Sequence, residues 1–197
     1  MDAEVRGAFA KVEELLGPVY GLFANAGIGT GGGMLHELDY DTWERIITTN
    51  LTGIYLACKY ALRSMVASGK GGSIVCTSSP TSFVAQAAGG VPAYSAAKGG
   101  VSALVRCLAI DYAQYGIRVN AIVPGATETK LMWDNVPEED IPRMRATVNM
   151  EVPLGRLAEP EEPARAAVWL LSDQASYVTG SHLVCDGGIL AKGSISV

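Results

Sequence analysis

A helix and a strand follow one another in residues 94–123, which read YSAAKGGVSALVRCLAIDYAQYGIRVNAIV. Apolar residues such as Val101 and Val105 recur at the spacing of one helix face, and Gly116 ends that helix. The β-branched, apolar run 117–123 then predicts a short buried strand. A helix that leads into a buried strand indicates one unit of an alternating α/β architecture.

The same alternation extends outward in both directions. The predicted helices cover 2–16 with Asp2 as N-cap, Asp39 or Asp41 to Met65, Tyr94 to Gly116, and 161–171, and the predicted strands cover 19–24, 73–77, 117–123 and 182–185. Such βα units build a parallel sheet that helices cover on both faces. The sequence therefore predicts an α/β fold with a parallel sheet of about four strands. With neither an internal repeat nor a linker in view, we expect residues 1–197 to form a single domain.

Residues 127–153 differ from the rest of the chain because they are rich in proline and acidic residues. This composition predicts a mobile or irregular insertion rather than part of the core. Leu131, Met132 and Trp133 form an apolar patch within it. Two interpretations of this patch stay open at this point, a satellite core and a lid over a substrate.

The bulk composition excludes several classes of partner. The net charge is −5, the sequence pI is about 5.0 and no basic run occurs, so we expect no nucleic-acid or anionic-membrane partner. The sequence shows neither a leader peptide at Met1 nor 18 consecutive apolar residues, which favours a cytoplasmic protein. Because 49% of the residues are hydrophobic and only 18% are charged, part of the apolar surface is expected to face another subunit.

Metal chemistry is not indicated by the sequence. The chain has four widely separated cysteines in apolar surroundings, Cys58, Cys76, Cys107 and Cys185, and two histidines, His36 and His182. Since no Cys-x-x-Cys pair occurs and two histidines are too few for a histidine-based zinc site, we expect buried structural thiols and no metal site.

Tyr94 and Lys98 stand four residues apart, and residues at that spacing are neighbours on a helix. A tyrosine that exchanges a proton near neutral pH needs its pKa lowered by roughly two to three units, about 3 to 4 kcal/mol. An ammonium group at about 4 to 5 Å supplies roughly that much at an effective dielectric constant of about 20. A nearby serine hydroxyl, from Ser78 or Ser79, could hold the oxygen of a carbonyl or alcohol. The pattern predicts proton transfer to and from an oxygen atom.

Six motifs in order give the chain a resemblance to the short-chain dehydrogenase/reductase family. They are Asn25-Ala26-Gly27 after a strand, Asn50 with Gly53, Thr77-Ser78-Ser79, Tyr94 with Lys98, Pro124-Gly125 with Thr129, and Val178-Thr179-Gly180 through Asp186-Gly187-Gly188. The resemblance spans Asp2 to Gly188 and implies a Rossmann-like, doubly wound sheet. It also implies hydride transfer between a nicotinamide cofactor, NAD or NADP, and a carbonyl or alcohol. A homo-oligomer, dimer or tetramer, built on the two long helices is implied as well.

The resemblance assigns four catalytic residues. Tyr94 would be the general acid/base, and Lys98 would lower the pKa of Tyr94 and reach the nicotinamide ribose. Asn50 would hold a water molecule within the helix that links the lysine to solvent. Ser79 would orient the substrate oxygen. Because the loop between Ser79 and Tyr94 is slightly longer than is usual in the family, Ser78 or Ser82 stays an alternative.

Cofactor contacts are also implied. Asn25, Ala26 and Gly27 would lie beside the adenosine half, although a plain turn would use the same residue types. The family often has a further asparagine where this chain has Ala24. The nicotinamide would lie on Pro124, Gly125, Thr127 and Thr129, together with Tyr94 and Lys98.

Gly27, Gly29 and Gly32 satisfy the dinucleotide pattern G-x-G-x-x-G directly after a strand. That pattern works when the glycines open a helix whose N-terminus meets the pyrophosphate. About ten residues separate them from the next predicted helix, so we do not interpret them as this fingerprint.

The family's own phosphate-binding turn, Thr-Gly-x-x-x-Gly-x-Gly, does not occur in the 197 residues. By the resemblance, the chain is expected to start just before the family's fourth strand and to carry the C-terminal catalytic portion, roughly the fourth to seventh strands. Two functions stay open: an NAD(P)-dependent oxidoreductase that is 3-oxoacyl-reductase-like or alcohol/sugar-dehydrogenase-like, and a catalytically silent, oligomerising scaffold.

Overall fold

Four parallel strands form one sheet in the order β1-β2-β3-β4 in a computed structural model that describes residues 1–29, 33–86, 89–134 and 136–192. The strands are β1 (Gly21–Ala24), β2 (Gly72–Thr77), β3 (Ile117–Pro124) and β4 (His182–Cys185). Their register pairs Ala24 with Cys76, Cys76 with Ala121, and Ala121 with His182. Since all strands run the same way, their carboxyl ends lie along one edge of the sheet.

The described residues form seven α-helices, the first before β1 and the other six between consecutive strands. They are α1 (Asp2–Leu16), α2 (Tyr40–Ile47), α3 (Gly53–Ser68), α4 (Pro92–Tyr112), α5 (Lys130–Trp133), α6 (Ile141–Glu151) and α7 (Glu161–Leu171). A π-helical turn, Thr48–Thr52, joins α2 to α3. Among the described residues, no helix combines the length and the hydrophobicity needed to cross a bilayer.

Both faces of the sheet are covered, because strand side chains alternate between the two faces. Ile74 and Val119 belong to the core cluster with residues of α3 and α4. Val75 and Ile122 belong to a separate cluster with Ala167 and Leu170 of α7. The predicted doubly wound parallel sheet of four strands is confirmed.

The helix starts agree with the prediction at Asp39 and differ from it at Asp2. Asp2 is the first residue of α1 rather than its N-cap, since its carboxylate instead accepts hydrogen bonds from Lys59 Nζ at 3.2 Å and the Tyr60 hydroxyl at 3.0 Å. Asp39 is the N-cap of α2 and accepts from the Thr42 backbone N–H at 2.7 Å. The long helix predicted from this point is interrupted by the π-helical turn.

The segment 127–153 is more regular than its composition predicted, because α6 provides three turns of helix within it. Leu131, Met132 and Trp133 lie on α5, which has no buried residue. They are therefore not part of a satellite core. The prediction of buried thiols holds for Cys58 and Cys76, whereas Cys185 is half-buried and Cys107 is exposed on α4.

Candidate active site

The carboxyl edge of the sheet brings together residues from all four strands. Thr77, at the end of β2, donates a hydrogen bond of 2.7 Å from Oγ1 to Asn25 Oδ1 beyond the end of β1. Gly125 follows β3 and donates from its backbone N–H to the carbonyl oxygen of Cys185 on β4 at 3.0 Å. Ligands of open parallel α/β sheets bind outside this edge.

Lys98 points from α4 into this edge. Its side chain is 3% exposed, and Nζ donates a hydrogen bond of 2.7 Å to the carbonyl oxygen of Thr77. Nζ also lies 5.7 Å from the centre of the Tyr94 ring. Burial lowers the pKa of Lys98 to about 8, because the apolar surroundings penalise the ammonium. Lys98 can therefore gain or lose a proton close to neutral pH.

Tyr94 lies one helical turn before Lys98, and Pro92 at the start of α4 favours a helix beginning there. The Ser79 hydroxyl is close enough to the Tyr94 phenol to lower its pKa through hydrogen bonding. Burial acts in the opposite direction and is larger, so the pKa of Tyr94 lies above its ordinary value. Desolvation of the phenolate therefore sets the direction of the pKa shift of Tyr94 in the protein alone. The role of Lys98 in lowering this pKa stays a prediction.

Among the three candidate serines, Ser78 and Ser82 are engaged in internal contacts. Ser78 Oγ lies 2.7 Å from Ser102 Oγ on α4 and 2.9 Å from Ser82 Oγ. Ser82 Oγ donates to the carbonyl oxygen of Ser79. These bonds fasten the end of β2 to α4, so a structural role accounts for both hydroxyls.

The Ser79 hydroxyl accepts hydrogen bonds from Thr81, from its backbone N–H at 3.3 Å and from Oγ1 at 3.1 Å. Ser79 thereby caps the short turn Pro80–Ser82. Since the same hydroxyl faces Tyr94, it remains the best-placed serine for a substrate oxygen.

Asn50 is fully buried within the π-helical turn. Its Oδ1 accepts from the Ile28 backbone N–H at 2.8 Å, and its Nδ2 donates to the Ile28 carbonyl oxygen at 3.0 Å. The amide therefore fixes the loop after β1 and is satisfied by protein groups. π-Helical turns leave backbone groups outside the regular ladder and occur often at functional sites. The role of Asn50 in holding a water stays a prediction.

Gly27 leaves little room for a side chain. A Cβ at this position would lie 3.2 Å from Asn50 Oδ1 and 3.8 Å from Lys98 Nζ. Asn25 and Ala26, immediately before it, are exposed at the sheet edge. Gly27, one of the three residues predicted to contact the adenosine half, thus adjoins the lysine.

The loop after β3 is held by its own hydrogen bonds. Thr127 Oγ1 donates to the Gly125 carbonyl oxygen at 3.1 Å, and Thr129 Oγ1 donates to the Thr127 carbonyl oxygen at 3.4 Å. Gly125 itself packs so closely that a Cβ would lie 2.6 Å from the Cα of Asp186. Pro124 is the last residue of β3, so all four predicted residues lie at the sheet edge.

The glycines of the G-x-G-x-x-G pattern do not open a helix. The next helix, α2, begins at Tyr40. Gly29 instead packs against α5, since a Cβ there would lie 3.3 Å from Leu131 Cδ1. Gly32 lies outside the described residues. This arrangement agrees with rejecting the pattern as a dinucleotide fingerprint.

Sequence reasoning missed two participants in this site. The backbone carbonyl of Thr77 is the hydrogen-bond partner of Lys98. Because every residue has such a carbonyl, the residue types do not predict which one the lysine binds. Ser102 holds Ser78, and its position one turn after Lys98 on the same helix was the available signal.

A family model described as enoyl-(acyl carrier protein) reductase matches residues 1–190. A structure of a short-chain type dehydrogenase/reductase from Mycobacterium marinum superposes with a TM-score of 0.88 at 32% sequence identity, over 96% of this chain and 72% of the other. The chain belongs to the short-chain dehydrogenase/reductase family.

Two other members of the short-chain dehydrogenase/reductase family are similar to this chain. Cis-4-hydroxycyclohexanecarboxylate dehydrogenase of Sinomonas cyclohexanicum is 48% identical over 170 residues, which are 86% of this chain and 65% of the relative. Gluconate 5-dehydrogenase of Burkholderia cenocepacia, solved with NADP and tartrate, has a TM-score of 0.89 at 30% identity, over 98% of this chain and 73% of the other. This short-chain dehydrogenase/reductase chain therefore spans about two thirds to three quarters of the length of these proteins.

Proposed function

We propose that this chain carries the proton-transfer machinery of an NAD(P)-dependent oxidoreductase that interconverts an alcohol and a carbonyl. The observation that carries the proposal is the convergence of Tyr94, Ser79 and Lys98 at the carboxyl edge of the sheet. A phenol, a hydroxyl and a buried ammonium together suit the movement of a proton at one oxygen atom. The dehydrogenase names of the relatives support the reaction class.

In the direction of alcohol oxidation, Ser79 would hold the substrate oxygen and Tyr94 would take its proton. Because burial raises the pKa of the free phenol, the phenolate needs further stabilisation in the loaded site. The bound cofactor would supply that positive charge on its nicotinamide and would accept the hydride. Lys98, with a pKa of about 8, can relay the proton onward.

The residues present fit the nicotinamide half of such a cofactor. Gly27 has no side chain between the loop after β1 and Lys98 Nζ, where a Cβ would be in van der Waals contact with the ammonium at 3.8 Å. One of the three N–H groups of Lys98 is used by Thr77, and ribose hydroxyls are natural acceptors for an ammonium. Asn25, Ala26 and Gly27 would adjoin the adenosine half. Pro124, Gly125, Thr127 and Thr129 would line the nicotinamide half.

The substrate class is proposed from the neighbouring surface. The segment 127–153, with Leu131 reaching Gly29, would act as a lid. An apolar lid favours a medium-sized, partly apolar substrate. A hydroxylated cyclohexane carboxylate, as named for the Sinomonas relative, is a suitable first probe.

We extend the proposal to a cytoplasmic homo-oligomer. A partly apolar groove runs between α3 and α4, with Tyr55, Leu62, Leu108 and Tyr115 among its lining residues. The pairing of this groove with a second copy predicts a dimer or tetramer by light scattering, and a monomer at all concentrations would contradict it. The four cysteines are free thiols, which agrees with a reducing compartment.

The deciding experiment titrates the 197-residue chain with NADH and NADPH, following nicotinamide fluorescence and melting temperature. Binding is expected for at least one of the two, and no response up to about millimolar cofactor would favour the silent-scaffold alternative.

A pair of tyrosine variants then tests the mechanism. Tyr94→Phe should lower kcat by at least about a hundredfold while leaving cofactor affinity nearly unchanged. Tyr112→Phe on the same helix is the matched control and should keep full activity. Retained turnover in Tyr94→Phe would refute the role of this tyrosine.

A further inference from the structure

Three side chains of the segment 127–153 form a cluster, here called the Glu128 cluster, which consists of Glu128, Trp133 and Arg145. Trp133 Nε1 donates to Glu128 Oε1 at 2.7 Å. Arg145 donates to both carboxylate oxygens, from Nη2 to Oε1 at 2.9 Å and from Nη1 to Oε2. Its guanidinium carbon also lies 5.1 Å from the centre of the Trp133 ring. The cluster joins the loop after β3 to both α5 and α6.

The geometry makes this cluster stronger than an ordinary surface ion pair. A guanidinium that binds both oxygens of a carboxylate forms two parallel charged hydrogen bonds. The side chains of Glu128 and Arg145 are 29% and 42% exposed, so solvent screens the pair only in part. The guanidinium additionally gains attraction from the Trp133 ring. The hydrogen bond from Trp133, and then Arg145, lower the pKa of Glu128, so its carboxylate is ionised at neutral pH.

Both ends of the segment are held by backbone hydrogen bonds to other parts of the chain. At the first end, the Glu128 backbone N–H donates to the Ala158 carbonyl oxygen at 2.9 Å. At the second end, the Leu154 N–H donates to the Gly187 carbonyl oxygen at 3.1 Å, next to the buried Val152. Between these anchors, α5 and α6 contain no buried residue, so the core does not hold them in place.

The position of α5 relative to the sheet explains why the cluster matters. The segment leaves the sheet at the end of β3, and Leu131 on α5 packs against Gly29 in the loop after β1. Because β2 lies between β1 and β3, α5 must cross the carboxyl end of β2. Thr77 and Ser79 lie at that end.

We propose that Glu128, Trp133 and Arg145 are positioning residues for substrate binding, because they hold α5 against α6 across the end of β2. This inference rests on the proposed oxidoreductase function. Loss of the cluster loosens α5 and weakens substrate binding, while the proton-transfer residues keep their places on β2 and α4.

The first test measures hydrogen exchange of backbone amides, which does not depend on catalysis. Arg145→Met should speed exchange in α5 and α6 by about tenfold, because two charged hydrogen bonds are lost. Arg143→Met is the matched control, since Arg143 lies on the same helix and forms an exposed ion pair with Asp140 at 3.1 Å. Its exchange should match that of the wild type. Equal exchange in the two variants would overturn the proposal.

The second test is kinetic and uses cis-4-hydroxycyclohexanecarboxylate with NAD or NADP. Arg145→Met should raise KM for the alcohol at least about fivefold with kcat within about twofold of the wild type. Trp133→Phe keeps the ring but loses the N–H donor and should give an intermediate KM. An unchanged KM, or a loss confined to kcat, would overturn the positioning role. Absence of turnover in the wild type would count against the proposed function, whereas the exchange experiment would still decide whether the cluster holds α5.

Discussion

Lys98 Nζ donates a hydrogen bond of 2.7 Å to the carbonyl oxygen of Thr77, which joins the first turns of α4 to the end of β2. This bond holds a buried ammonium beside Tyr94 and next to the loop that follows β1. The lysine is thereby fixed in place before any ligand binds.

The buried lysine predicts a specific dependence of stability on pH. Its folded pKa of about 8 lies below the ordinary 10.5, so below about pH 8 both states hold the proton and the folded state bears the full cost of burial. Between pH 8 and 10.5 the folded lysine is neutral while the unfolded one is still charged. The unfolding free energy of the wild type should therefore rise relative to Lys98→Met by about 3 kcal/mol over this window. Urea unfolding at several pH values measures it, and parallel curves would contradict the pKa.

Ser78 and Ser79 should separate activity from stability. Ser79→Ala should lower kcat by about 10² to 10³, because its hydroxyl faces Tyr94. It should cost only about 0.5 to 1 kcal/mol of unfolding free energy, since the capping bonds from Thr81 are long, 3.3 and 3.1 Å. Ser78→Ala should instead cost about 1 to 3 kcal/mol of stability, since it breaks the bond to Ser102. Each variant serves as the control for the other. The opposite pattern in kcat would make Ser78 the catalytic serine.

Asn50→Ala should destabilise the protein by about 2 to 4 kcal/mol, because the backbone N–H and C=O of Ile28 both lose their partner. Hydrogen exchange at residues 26–29 should speed up in the same variant, which would locate the effect in the loop after β1. A loss below about 0.5 kcal/mol in chemical unfolding would show that water replaces the amide without cost.

Gly125→Ala should destabilise the fold by about 1 to 3 kcal/mol, because the added methyl group would press on the backbone of Asp186 at 2.6 Å. Gly99→Ala is a useful control, since a Cβ at Gly99 meets nothing within 4 Å and lies in α4. That variant should gain about 0.5 to 1 kcal/mol from helix propensity. Thermal unfolding compares the two, and equal melting temperatures would contradict the packing argument.

The alternation of strands and helices could be predicted from the sequence. Apolar residues form short continuous runs in the buried strands but recur at helical spacing along the helix faces. The bounds of α7 and β4 agree with the prediction for this reason. The π-helical turn at Thr48–Thr52 was not predicted, since the apolar spacing continues through it. The raised pKa of Tyr94 was also missed, because burial depends on how the chain folds around the phenol and cannot be read from the spacing to Lys98.

The Glu128 cluster in the segment 127–153 was not predicted from the sequence for a related reason. Glu128 and Arg145 are 17 residues apart, so only the turn between α5 and α6 brings them together. A proline-rich, acidic composition predicted irregular structure, yet the same segment forms α6 and pairs Glu128 with Arg145.

Thr77 makes two hydrogen bonds at once, since its hydroxyl donates to Asn25 and its carbonyl oxygen accepts from Lys98. A ligand that replaced Thr77 as the partner of Asn25 would therefore act on the strand end that also binds Lys98. If such a ligand changed the protonation of Lys98, thermodynamic reciprocity would require protonation of Lys98 to change the affinity for the ligand by the same factor. Cofactor affinity should consequently vary with pH near 8, with Thr77 as the mechanical link between the two sites.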